Sequence, residues 1–145
     1  MRSTETLIRE LADRAEITEL LARQSLWLDE RAADRTAEIF TADAVARTPG
    51  GEIRGAEAVA EHAIARHIEY DRTVHAIHSP IIGLDGDEAV VDCGVKAVFI
   101  VDGGKAVQLV EARYRFEARR TADGWRFSSL TVVPISRTTS VEQTL

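Results

Sequence analysis

Two short segments carry side chains able to exchange protons. Ser25-Leu26-Trp27-Leu28-Asp29 closes a long N-terminal run, and Thr73-Val74-His75-Ala76-Ile77-His78 opens a later, strand-like one. A carboxylate at a helix end and an imidazole on a facing strand can form an acid–base pair in a closed pocket. The carboxylate orients the ring, and the ring exchanges a proton near neutral pH. Asp29 follows Leu21 by eight residues and Ser25 by four. That spacing puts it at the margin of the inner stripe of a helix, where a carboxylate is partly desolvated. The competing reading of Asp29 is a helix C-terminal carboxylate facing water beside Glu30 and Arg31. For His75 it is a half-buried strand histidine bonded to backbone. His78 stands three residues from His75, an odd step, so on a regular strand the two point to opposite faces. His75 is taken as the inward ring and His78 as the outward one.

Other residues could complete a site. The third long strand, Val107 to Phe116, carries one acid, Glu111. It is a catalytic candidate beside Asp29 and His75, with a surface ion pair to Arg113 as the alternative. Trp27 is either a pocket wall or a core or interface tryptophan. His67 shares the apolar face of the third helix, where it either caps a cavity or is a satisfied core histidine. Ser25, Trp27 and His67 are the candidates for substrate contact. The four histidines show no metal-type spacing on one element, so no metal site is expected.

The elements that must position these groups follow from periodicity. Thr4 to Asp29 reads as one helix, with Leu7, Leu11, Ile17, Leu21, Gln24 and Leu28 close to one face and Ser3 or Thr4 as cap. A shorter helix is expected over Asp34–Phe40, with Asp34 as its N-cap. Asp43–Thr48 and Glu52–Arg54 read as short strands around the turn Pro49-Gly50-Gly51. Gly55 to about Glu69 is a third helix. Four long strands follow, separated by Asp85-Gly86-Asp87, Asp102-Gly103-Gly104-Lys105 and Thr121-Ala122-Asp123-Gly124, all hairpin signals. Helices first and strands after give an α+β class, with a twisted antiparallel sheet curling around the helices to leave a conical cavity. The tail after Arg137 is polar and is expected to fray.

Composition bounds the function. A chain of 145 residues, 45% hydrophobic and 29% charged, suits one domain over 1–145 with a core of about 5–136. A net charge of −6 argues against broad binding to nucleic acid. No apolar run is long enough to cross a membrane, and Met1–Glu5 lacks a signal-peptide core, so the cytoplasm is the expected location. Cys93, the one cysteine, excludes an internal disulfide and reads as a buried, inert thiol.

Several pieces, in order, resemble the SnoaL-like group of the nuclear transport factor 2-like superfamily. They are Ile17 to Asp29, Glu38-Ile39-Phe40-Thr41-Ala42-Asp43-Ala44, Ile53-Arg54-Gly55-Ala56-Glu57-Ala58-Val59, Thr73-Val74-His75 and Asp123-Gly124-Trp125-Arg126-Phe127. The resemblance covers roughly residues 5 to 136. It implies an α+β barrel of cystatin-like fold around an apolar cone. It also implies proton-transfer chemistry without metal or organic cofactor, as in scytalone dehydratase, ketosteroid isomerase and polyketide cyclases. Asp29 and His75 match the carboxylate and first histidine of dehydratase-like members. A second such histidine is not visible, nor is an Asp-Arg-Asp set of the epoxide-hydrolase type. The implied function is a cyclase, dehydratase, isomerase or epoxide-opening enzyme in bacterial secondary metabolism or catabolism. Its substrate would be an apolar, oxygenated small molecule. The alternative is a non-catalytic binding or dimerisation protein. A homodimer is expected in either case, through strand faces bearing Val98, Ile100, Val110 and Val132.

Overall fold

Ile17, Leu20, Leu21, Gln24 and Leu28 recur at three- and four-residue steps, which match the α-helical turn and gather on one side. A computed structural model, which describes residues 1–141, places them on α1 (Thr4–Asp29). Ser3 caps this helix: its Oγ accepts a hydrogen bond from the Thr6 amide at 3.1 Å. The buried face starts at Asp13. Leu7 and Leu11, expected on that face, are exposed.

The segment after α1 departs from expectation. It is a 3-10 turn over Ala33–Glu38 without a side-chain cap, not an Asp34-capped helix reaching Phe40. Phe40 already belongs to β1 (Phe40–Thr48). Its ring is buried edge-on to Trp27 at 5.3 Å and near Phe127 at 6.4 Å. Burying an aromatic of that size outweighs the weak helical preference of a six-residue connector.

β2 (Gly51–Arg54) and α2 (Ala56–His67) follow. Then come β3 (Arg72–Asp85), β4 (Glu88–Val101), β5 (Ala106–Thr121) and β6 (Gly124–Val141). All six strands form one sheet in the order β2-β1-β6-β5-β4-β3. The β1–β6 pairing is parallel and the others are antiparallel. β2 and β3 are opposite edges, so the sheet curves around the helices without closing into a barrel. Register shifts after His78, Glu111 and Glu117 supply the bulges that bend long strands. Gly86, at φ 61°, makes the tight β3–β4 turn, a conformation that costs glycine little.

Where α1 lies on the sheet, Ile17, Val91, Phe116, Trp125 and Phe127 are almost fully buried, and Phe116 stacks on Phe127 at 4.1 Å. Cys93 is buried among them, and burial pushes its thiol up to about 11, far from a nucleophile's range. Among the described residues the chain stays paired beyond Arg137. Thr138 to Val141 continue β6, paired with Ala106 to Leu109, whose backbone would otherwise form a bare edge. Residues 142–145 of that tail lie outside the described residues. Among the described residues no helix is long and apolar enough to cross a membrane.

Candidate active site

Asp29 is the last residue of α1, and β3 passes directly beside it. Its Oδ2 accepts the His75 backbone N–H at 2.9 Å. Its Oδ1 accepts the His75 ring Nδ1–H at 2.6 Å and the Thr73 hydroxyl at 3.0 Å. One carboxylate thus grips the backbone and the ring of the same residue. Because the carboxylate can only accept, Nδ1 carries a proton, and in the neutral ring Nε2 then keeps a lone pair. The His75 side chain is 4% exposed and that of Asp29 16%. The odd step between His75 and His78 has the effect expected of it. β3 runs in regular register from Arg72 to His78, so the His78 ring lies on the outer face, packed flat over Gly94. Any side chain at Gly94 would collide with it.

His75 opens into a cavity of about 630 Å³ between α1, α2 and the inner face of the sheet. Leu28, Phe40, Val95, Phe99, Ala112 and Leu130 give it an apolar wall. Trp27 is part of that wall, held by its indole N–H donating to Thr36 Oγ1 at 3.0 Å. His67 lines the cavity beside the dyad, its ring 5.2 Å from His75 and stacked on Phe99 at 5.5 Å. Its Nδ1 donates to the Ala63 carbonyl at 2.6 Å. Burial holds its pKa below the usual 6.5, which favours the neutral ring. Arg31, in the left-handed region at φ 54°, donates to the carbonyls of His67 (2.9 Å) and Tyr70, tying the end of α2 to the end of α1.

Two expected site residues lie elsewhere. Glu111 is on the outer face, because the inner-face positions flanking it, Val110 and Ala112, line the cavity. It pairs with Lys96 Nζ at 3.3 Å, its direct cross-strand neighbour, and not with Arg113. Ser25 is buried on α1 but is not part of the cavity lining, and its Oγ has no hydrogen-bond partner. Val110 and Val132, expected on an outer dimerisation face, also line the cavity.

Three residues have roles that spacing did not assign. Thr73 steadies the carboxylate. Gln24, placed in the apolar stripe of α1, brings a buried amide into the cavity wall. Tyr114, on the inner face of β5, brings a buried phenol. The only signal available for either is a polar group on an otherwise apolar face. Among the described residues no cluster of three His, Cys, Asp or Glu side chains is placed to hold a metal ion.

The family model described as SnoaL-like domain matches residues 9–131. No curated protein matches the chain. Solved structures do. The Kfla4162 protein from Kribbella flavida is 26% identical, with a TM-score of 0.82 over 89% of this chain and 95% of that one. The hexachlorocyclohexane dehydrochlorinase LinA type 2 is 25% identical, with a TM-score of 0.80 over 95% of each chain. An NTF2-like protein with a cystatin-like fold from Novosphingobium aromaticivorans is 23% identical, with a TM-score of 0.80 over 94% of this chain and 92% of that one, a likeness of fold.

Proposed function

The chain belongs to the SnoaL-like family, and we propose that it is a cofactor-independent enzyme that uses His75 as a general base on an apolar, oxygenated small molecule. The observation that carries this reading is the grip of Asp29 on both the backbone and the Nδ1–H of His75, which leaves Nε2 to the cavity. A base held this way needs no reorganisation before it takes a proton. Asp29 then stabilises the imidazolium that forms, and the same ring returns the proton to the product. Positioned acid–base groups of this kind contribute about 10²–10⁴-fold to a rate. The apolar wall excludes water and leaves the base as the main proton acceptor near the substrate.

The reactions this arrangement serves are eliminations, isomerisations and cyclisations that begin with loss of a proton. The named dehydrochlorinase neighbour is of the first kind. A place in bacterial secondary metabolism or catabolism, and in the cytoplasm, belongs to the same proposal. So does a homodimer. Val74 and Leu109 are exposed on the outer face of the sheet, in register with Val98, and together with exposed Val133, opposite Arg113, they supply apolar area for a second copy. A monomer by light scattering at micromolar concentration would remove the dimer from the reading.

The test is a panel of enones, β-hydroxy ketones, epoxides and alkyl halides, offered to wild type and to His75→Ala. Turnover that disappears in the variant, with unchanged unfolding, supports the base. Equal turnover in both proteins sinks it. Saturable binding with no product in either protein would make the cavity a binding site instead.

A further inference from the structure

The lining of the His75 cavity changes character between its floor and its rim. Val95, Ala112 and Leu130 are buried and apolar. Arg66, Glu69, Ser136 and Arg137 also line the cavity but are exposed, which marks its mouth. Two cations and one acid therefore stand at the mouth, in a chain whose net charge is −6. Elsewhere on this surface arginines are commonly neutralised by an acid, as Arg47 is by Glu52 at 3.3 Å and Arg115 by Asp92 at 3.2 Å. Among the described residues neither Arg66 nor Arg137 forms an ion pair, with Glu69 or with any other carboxylate.

Both side chains are placed by their elements. Arg137 lies opposite Val110 in the β5–β6 register, and both line the cavity from the inner face. Arg66 is in the last turn of α2, where a cation also serves the helix end. That end already has its cation, since Arg31 donates to the carbonyls of His67 and Tyr70. The Arg66 guanidinium reaches instead to the β1–β2 turn, its Nη2 3.9 Å from where a Cβ on Gly50 would stand. Its Nε donates to His62 Nε2 at 3.3 Å, which leaves the Nη groups for a ligand.

We propose that the substrate is an organic acid, with an apolar skeleton enclosed by the cavity and a carboxylate held at the mouth by Arg66 and Arg137. The proposal rests on the reading of this cavity as the site of the His75 base and names the substrate class for it. A carboxylate would not settle deeper. The apolar wall cannot solvate it, and the charge of Asp29 beside His75 repels it. At the mouth it keeps water and meets guanidinium groups, whose planar donors match its two oxygens. The carboxylate takes no part in the reaction. Its binding fixes which carbon of the skeleton is presented to Nε2, so remote binding is used for orientation.

The probes are 2-naphthoate and 2-naphthamide, which share a ring system and differ in charge. Neither has an acidic C–H, so binding is read without turnover. NMR of the ring Cε1–H groups follows the four histidines as each probe is titrated into wild type and into the Arg66→Gln/Arg137→Gln double variant. His75→Ala assigns the resonance of the base. In wild type both probes should move that resonance, with naphthoate binding about 10–30-fold more tightly. The double variant should bring the two affinities within about 3-fold of each other. Its affinity for naphthamide should hold, because both replaced side chains are exposed. Raising NaCl to roughly 0.5 M should narrow the preference of wild type. Equal affinities in wild type overturn the organic acid, as does a preference for naphthoate that survives in the double variant. Naphthoate that leaves the His75 resonance unmoved at millimolar concentration overturns it too. None of these results decides the base, which falls if His75→Ala keeps its turnover in the substrate panel.

Discussion

Asp13 and Asp29 stand on the same helix, and each carboxylate accepts three hydrogen bonds. At Asp13 the donors are both guanidinium arms of Arg120 at 2.8 Å and the Trp125 indole at 3.0 Å. Arg120 also donates to Asp87 and lies over the Trp125 ring, 4.8 Å from its centre. Every group in that cluster is a permanent donor or a committed acceptor, and it locks α1 to the β5–β6 hairpin. At Asp29 one donor is an imidazole, whose second nitrogen remains free and faces a cavity. The two carboxylates are chemically alike. The partner decides whether the site is a rivet or a reagent: a guanidinium cannot return a proton near neutral pH, and an imidazole can.

The largest way to break this comparison is to remove the imidazole. His75→Ala should lower turnover in the substrate panel by about 10³–10⁴-fold, while urea unfolding moves little. Asp29→Asn comes next, at about 10²-fold in kcat, because an amide both misorients the ring and cannot stabilise its charged form. Asp13→Asn should give the opposite pattern. It leaves Arg120 and the Trp125 indole poorly paired, costs about 2–3 kcal/mol of stability, and leaves kcat where it was. Thermal unfolding should record that loss as a fall of roughly 5–10 °C. If Asp13→Asn lowers kcat as much as Asp29→Asn does, the division between the two sites fails.

A smaller effect separates them by pH. The hydrogen bonds and charge of Arg120 hold the Asp13 carboxyl below its ordinary 3.8, despite burial acting the other way. A carboxyl lowered on folding contributes stability that is complete above its unfolded pKa and is lost as pH falls through the folded value. Chemical denaturation from pH 6 down to pH 2 should therefore show wild type and Asp13→Asn converging at the acid end. His67 adds a second, independent slope. Burial lowers its pKa from 6.5, so its neutral form favours the folded state, and that contribution declines as acid charges the ring below 6.5.

That Asp29 and His75 share a site is legible through the family resemblance, and periodicity adds only the face on which each one lies. The 3.6-residue helical repeat brings Asp29 to the edge of the inner stripe, and the two-residue strand repeat separates His75 from His78. Glu111 shows the limit of that logic. Alternation puts it on the face opposite Val110 and Ala112, but the inward face of β5 is set by the helices packed on it. The apolar run Val110, Ala112, Tyr114, Phe116 was the cue. Tyr114 itself reads as core, since periodicity reports a face and says nothing of empty volume in front of it. The parallel pairing of β1 with β6 carries no local signal, because its strands are far apart in sequence. The cluster of Asp13, Arg120 and Trp125 is equally silent, joining the first helix to the last hairpin across more than a hundred residues.

The finest test of the comparison is Thr73→Val, which leaves both partners of the dyad in place. The Thr73 hydroxyl donates to the same Oδ1 that takes the His75 ring proton. The valine keeps the shape at a buried position, so the carboxylate loses one of three donors without gaining a cavity. Stability should change by about 1 kcal/mol or less. A carboxylate held by fewer donors rotates more freely, and the ring it steers spends less time aimed at the substrate. Turnover should therefore fall roughly 3–10-fold with KM unchanged, because orientation of the base is used in the transition state and not in binding. An unchanged kcat would mean that the two bonds from His75 alone fix the carboxylate, and that Thr73 serves only the packing of β3 against α1.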